Sequence, residues 1–256
     1  MGDTLSKTQP LQIDLSDSPL WHRWLQPLWA ASQFLPAPFD ASQIASDMAA
    51  YDAADASGYR AELLTVLRRH LTAAKHTIEQ DFLATHDGAV YVGQHARCID
   101  ALLRLLRDEA CKIIPQSNAI AVIAVGGYGR GEMAPFSDID VMFLMPAKTS
   151  KKHEAAIEFM LYLLWDLGLK IGHSTRSITE AINAGRDDQT VMTSFLEMRL
   201  VCGDAALWTK LSDALRLEIT KNKPLVFVEE KLAERDLRHK RFGDTRYVVE
   251  PNVKDG

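Results

Sequence analysis

Cysteine is scarce in this chain. Cys98, Cys111 and Cys202 are odd in number, lie far apart and lack zinc-type spacing. That excludes a disulfide framework and a cysteine zinc site, and it fits a reducing cytoplasm. Basic charge is not in excess either. Lys and Arg number 29 against 34 Asp and Glu, a formal net charge of -5, so a general nucleic-acid-binding surface is not favoured. No apolar run is long enough, or free enough of charge, to span a bilayer. No basic segment followed by an apolar one opens the chain. Repeats and low-complexity tracts are missing too. The expectation is a soluble cytoplasmic protein with neither membrane nor nucleic acid as partner. Its 256 residues, 47% hydrophobic, suffice for one substantial core, or for a core with a helical appendage.

What is present changes character along the chain. Residues 1–57 read as an N-terminal extension, partly disordered. Within it Trp21, Trp24, Leu25, Leu28 and Trp29 recur at roughly helical spacing, a pattern more typical of a core or docking face than of a cofactor site. Residues 58–115 read as a helical region. Leu64, Leu67, Leu71, Ala74, Ile78 and Phe82 form one stripe, Asp87-Gly88 marks a turn, and Ile99, Leu102, Leu103 and Leu106 mark a second helix. From 116 to about 222 the order becomes strand, glycine turn, strand, helix, strand, helices. Strands are expected at 119–125, 139–145 and 169–174, with a helix at 154–167 capped by Gly168. Helices are expected at 179–184, 189–201 and 205–219. Residues 223–256 read as a charged helix, about 225–241, and the start of a further segment. The fold class is α+β: a small mixed sheet with flanking helices and an N-terminal helical region.

One stretch carries chemistry. Gly126-Gly127-Tyr128-Gly129-Arg130-Gly131-Glu132 follows an apolar strand, and Ser137-Asp138-Ile139-Asp140 enters the next. Alternate residues of a strand share a face, so Asp138 and Asp140 project side by side. Paired carboxylates offer the hard oxygen ligands that magnesium takes. Gly126 and Gly127 let the backbone approach phosphate oxygens. Ser137 offers a hydroxyl donor. Arg130 suits either a phosphate fork or a pairing with Glu132. A Walker loop is excluded because no lysine follows the glycines, and their spacing is not that of a dinucleotide fingerprint. A lone Asp-x-Asp carries little weight. Gly-Gly, ten residues, then Asp-x-Asp between two apolar strands is far more specific.

These residues resemble the DNA polymerase beta-like nucleotidyltransferase superfamily. More narrowly, they resemble the uridylyltransferase/uridylyl-removing enzymes of bacterial nitrogen control. Three further stretches look like that family: Trp165–Arg176, Thr193–Asp204, and Arg241–Thr245 with Glu250–Gly256. The likeness runs over roughly 60–256 and is close from Ala121 onward. It implies UTP as substrate, magnesium as cofactor, and transfer of UMP to a tyrosine of the signalling protein PII. It also implies a family that continues into a uridylyl-removing HD domain and glutamine-sensing ACT domains, so the chain reads as an N-terminal fragment or truncated product. One departure stands out. Many members of the wider superfamily carry a third carboxylate on a later strand, and Leu169–Ser174 has no acid. Asp166, Glu180, Asp187 and Asp188 lie nearby without strand alternation to recommend them.

Other residues weigh less. His86-Asp87 reads as a helix end, without the extra ligands of a hydrolase site. His173 is open between a partly buried polar residue and a nucleotide contact. Arg176 reads as a phosphate contact, since a guanidinium suits phosphate. The expected site is therefore Asp138 and Asp140 as catalytic metal ligands, with Gly126, Gly127, Arg130, Ser137 and Arg176 on the nucleotide. The alternatives are a related enzyme using another nucleotide or acceptor, such as an adenylyltransferase, or a nucleotide-binding fragment without turnover.

Overall fold

The computed structural model describes residues 39–51, 56–221 and positions 232, 233, 235–237 and 240. The tryptophan stripe lies outside them, as does most of the charged segment.

Among the described residues three helices come first. α1 (Ala41–Met48) starts at Asp40, whose carboxylate accepts from the amides of Ser42 and Gln43. Such a cap satisfies donors that have no partner within the helix. α1 lies within the stretch expected to be an extension, and Phe39, Ile44 and Met48 are buried in the core. α2 (Ala56–Thr85) and α3 (Gly88–Ile113) follow, with Asp87 capping α3. Leu63, Leu67, Leu71, Ala74 and Ile78 are buried on α2, and Ile99, Leu102, Leu103 and Leu106 on α3. These are the i, i+3, i+4 positions at which two helices bury a common stripe.

The sheet has four strands in the order β3-β2-β1-β4. They are β1 (Ala121–Ala124), β2 (Ile139–Leu144), β3 (Ile171–Arg176) and β4 (Arg199–Gly203). β1 pairs antiparallel with β2 and with β4, and β2 pairs parallel with β3. The parallel pair needs a crossover, which α5 (Lys151–Asp166) supplies. Gly168 stops α5 at φ +74°, and the Leu169 amide reaches back to Leu164 O at 3.1 Å. Only a residue at ease in the left-handed region closes that turn without strain.

Helices cover both faces, so the two inner strands are apolar on both sides. Val122, Ala124, Val141 and Phe143 pack toward α1–α3 and α5. Ala121, Ile123, Met142 and Leu144 pack toward α6 (Ile178–Asp187), α7 (Gln189–Leu196) and α8 (Ala205–Lys221). α6 opens on a capping box between Ser177 and Glu180.

One sequence expectation is corrected. The stretch 189–201 is not one helix: α7 ends at Leu196, and β4 takes Arg199–Gly203. β4 is an edge strand with only Val201 fully buried, so its residues show no clean alternation from which to read a strand.

Candidate active site

β1 ends at Ala124, and the chain turns over Gly126, at φ +58°, into a single helical turn, α4 (Gly126–Gly129). The Val125 amide donates to the Asp140 carbonyl at 3.1 Å, tying the turn to β2. The amides of Gly129, Arg130, Gly131 and Glu132 bond back into the turn. Those of Gly126, Gly127 and Tyr128 head it, where a helical turn leaves its own donors unsatisfied.

Asp140 stands between two positions that have no side chain. A Cβ at Gly126 would lie 3.6 Å from Asp140 Oδ2, and one at Gly172 would collide with Asp140 Oδ1. Gly172 is the register partner of Asp140 on β3. The carboxylate thus occupies the space over Gly172 that a side chain there would need, and it borders the glycine turn at Gly126. Asp138, one position before β2, and Ser137, two before, are exposed, while Ile139 between the carboxylates is buried. By strand alternation Asp138 and Asp140 share the face opposite Ile139.

The structure brings Gly126, Gly127, Asp140 and Gly172 together, with Arg130 at the rim. A Cβ at Gly127 would lie 3.6 Å from an Arg130 guanidinium nitrogen. Of the two roles open to Arg130, pairing with Glu132 is the one seen. Its Nε donates to Glu132 at 2.7 Å, and a terminal nitrogen donates to Glu197 at 2.6 Å. Burial works against the charge, but these two carboxylates outweigh it and raise the guanidinium's pKa.

Arg176 is not brought to the carboxylates. It pairs in register with Leu144, four positions beyond Asp140 along β2, which is roughly 13 Å of strand. Its charge acts instead on Glu180. His173 packs edge-on against Trp165, with ring centroids 5.8 Å apart. Three acids near β3 have structural roles: Asp166 pairs with Arg60, Glu180 closes the capping box, and Asp188 caps α7. Among the described residues no three His, Cys, Asp or Glu side chains converge as a metal cluster. The donor set at the site is thus a pair of carboxylates, one exposed and one half-buried. Their hard oxygens fit magnesium.

Sequence reading missed the residues that hold the loop. Tyr128 is fully buried and donates to Asp100 at 2.7 Å. Arg199 donates to the same carboxylate through both terminal nitrogens, at 2.6 and 3.0 Å. It also reaches the carbonyls of Tyr128 and Gly129 at 3.3 Å, and its guanidinium lies 5.3 Å from the Tyr128 ring centroid. Burial and the Asp100 charge push the Tyr128 hydroxyl's pKa well up, so it stays a donor. Gly129 completes the fit, because a Cβ there would collide with the Glu197 carbonyl. The available signal was Asp100 itself, a charge set beside Ile99, Leu102 and Leu103 on an apolar stripe.

A covered mixed sheet, a glycine turn and a strand-borne carboxylate pair define a nucleotidyltransferase. The family comparison agrees: residues 103–199 match the nucleotidyltransferase domain. Residues 226–256 match the GlnD PII-uridylyltransferase model, and the chain belongs to that family. It is 45% identical over 204 residues to the bifunctional uridylyltransferase/uridylyl-removing enzyme of Rhodospirillum rubrum, covering 77% of this chain and 22% of the relative. The enzyme of the same name from Novosphingobium aromaticivorans is 49% identical over 164 residues, 62% of this chain and 18% of that one. The one from a Bradyrhizobium species is 39% identical over 233 residues, 87% and 25%. The chain thus spans about a fifth to a quarter of the length of these relatives. No helix among the described residues is long and apolar enough to cross a membrane.

Proposed function

We propose that the chain transfers UMP from UTP to a tyrosine hydroxyl of the signalling protein PII in the cytoplasm, with magnesium held by Asp138 and Asp140. The observation that carries this reading is the Asp140 carboxylate set between Gly126 and Gly172. The carboxylate is held beside the glycine turn, and any side chain at Gly172 would displace it. Magnesium, when bound, neutralises charge on the triphosphate. The backbone amides heading α4 donate to phosphate oxygens, whereas Ser137 lines the Ile139 side of the sheet, away from the carboxylates. The tyrosine oxygen forms a bond to the α-phosphorus, the bond to the bridging oxygen breaks, pyrophosphate leaves, and the hydroxyl proton passes to solvent. Arg130, engaged by Glu132 and Glu197, fixes the loop from its rim.

The test is incubation of the chain with magnesium, PII and either labelled UTP or labelled ATP, followed by mass analysis of PII. The expected result is one UMP on a PII tyrosine and no AMP. AMP transfer, or no transfer while a full-length relative works in parallel, overturns the assignment.

Gly172 provides a second check. Gly172→Ala is expected to push the Asp140 carboxylate aside and lower transfer about 10–100-fold, the scale of a small misplacement in a positioned site. The thermal midpoint should move little, because Gly172 is on an exposed edge strand. An unchanged rate would show that the fit between Gly172 and Asp140 does not matter.

A further inference from the structure

Behind the catalytic strand lies a cavity of about 670 Å³, walled by α2, α3 and the segments that lead into β2 and β3. Ile139 lines it, so it opens on the sheet face opposite Asp138 and Asp140. Its volume falls within the range of small-molecule sites, about 300–1,000 Å³. Ile78, Val92, Ile99 and Leu169 supply aliphatic wall. Phe82, Tyr91 and His95 supply an aromatic one: the Phe82 and Tyr91 rings meet edge-on at 5.3 Å, and Tyr91 and His95 lie 6.3 Å apart.

The polar groups are few. His95 Nδ1 lies 3.3 Å from the Met133 carbonyl oxygen. A carbonyl only accepts, so Nδ1 carries the proton. Burial lowers the His95 pKa, and the neutral ring leaves Nε2 as an acceptor. Among the described residues no donor meets it. Two exposed ammonium groups, Lys75 and Lys170, and one exposed carboxylate, Glu79, also line the cavity, a net positive charge. Neither lysine has an ion-pair partner among the described residues.

We propose that this cavity binds a small aromatic acid, one whose ring carries an N–H or O–H donor for His95 Nε2 and whose anionic group lies between Lys75 and Lys170. The flat apolar body fits the Phe82–Tyr91 wall, and the ring donor meets His95 Nε2. The site is distinct from the nucleotide site and does not depend on it. It nonetheless shares a segment with it. Met133, Phe136 and Ser137 line the cavity, and the next residue is Asp138. Met133 is fastened to α3 twice, by its amide to Val92 O at 3.4 Å and by its carbonyl to His95.

The test titrates the full chain with three probes and follows backbone amide signals by NMR. Indole-3-acetate has the ring donor and the carboxylate. 1-Methylindole-3-acetate lacks the donor, and indole-3-ethanol lacks the charge. Saturable binding of indole-3-acetate is expected, with shifts centred on Tyr91, His95, Met133 and Lys170. Each of the other probes should bind about tenfold more weakly or worse, the loss of one hydrogen bond or charge contact. Lys75→Gln with Lys170→Gln, both exposed, should erase the preference for the acetate over the alcohol. Val92→Trp, which fills the cavity, should abolish binding, and Asp140→Asn should leave it unchanged. No saturable binding, shifts centred elsewhere, or equal affinity for all three probes overturns the proposal.

Discussion

Asp140→Asn is expected to reduce UMP transfer by about a thousandfold or more while leaving the fold in place. Asparagine has nearly the same shape, so it still fits between Gly126 and Gly172. What it loses is the charge. A carboxylate that holds a metal on a triphosphate contributes several kcal/mol of charge stabilisation, and each 1.36 kcal/mol is tenfold in rate. About 4 kcal/mol therefore gives the expected factor. Asp138→Asn should behave alike, with less effect on stability because Asp138 is exposed. The check is initial transfer rates over a magnesium titration, with thermal unfolding alongside. Rates near wild type in both variants at saturating magnesium would remove the metal assignment.

The second large effect is structural. Asp100 and Arg199 have side chains only 4% and 11% exposed, and their oxygen and nitrogen lie 2.6 Å apart. Arg199→Met leaves the Asp100 carboxylate buried with the Tyr128 hydroxyl as its donor, a half-exposed Arg104 at 3.6 Å and the charge of Arg97 nearby. Breaking a buried pair on one side costs about 3–5 kcal/mol, because the remaining charge is uncompensated. The carbonyls of Tyr128 and Gly129 lose a donor at the same time, so the loop should loosen and transfer should fall with stability. Asp100→Leu should cost a similar amount. The double variant should be less damaged than the sum, by about 1–3 kcal/mol, since neither charge is then stranded. Denaturant unfolding of all four proteins measures this. Strict additivity would mean that the two residues do not act as a pair.

Much of the fold was legible because its signals are local. The stripe from Leu67 to Ile78 has helical period, Asp87-Gly88 marks the turn between two helices, and Gly168 announces a stop. β1 and β2 are short apolar runs between turn signals. The carboxylate pair and glycine turn were legible for the same reason, since one contiguous stretch contains both. The rest depends on register and on distant partners. The sequence around β3 does not show which of its residues faces Asp140. That is set by the α5 crossover, which brings Gly172 there and sends Arg176 to the far end. β4 carries both polar and apolar residues on a half-covered edge, so helix and strand patterns both fit it. Asp100, Tyr128 and Arg199 come from three separate elements, and nothing local to any one of them names the other two.

That last triad has a consequence for the order of assembly. The glycine turn is made at residues 126–129, but Arg199 closes it, and the Glu197 carbonyl packs on Gly129. During synthesis the turn emerges about seventy residues before its clamp, and chains acquire structure as their segments appear. The nascent domain can collapse its first two helices and pair β1 with β2 while the turn is still unclamped. Amides from Gly129 to Glu132 should exchange rapidly with solvent in a chain ending before residue 199 and slowly in one that includes β4. On the proposed reading, the turn's grip on a triphosphate is withheld until β4 has docked, and a product ending before residue 199 would carry the carboxylates without the cradle.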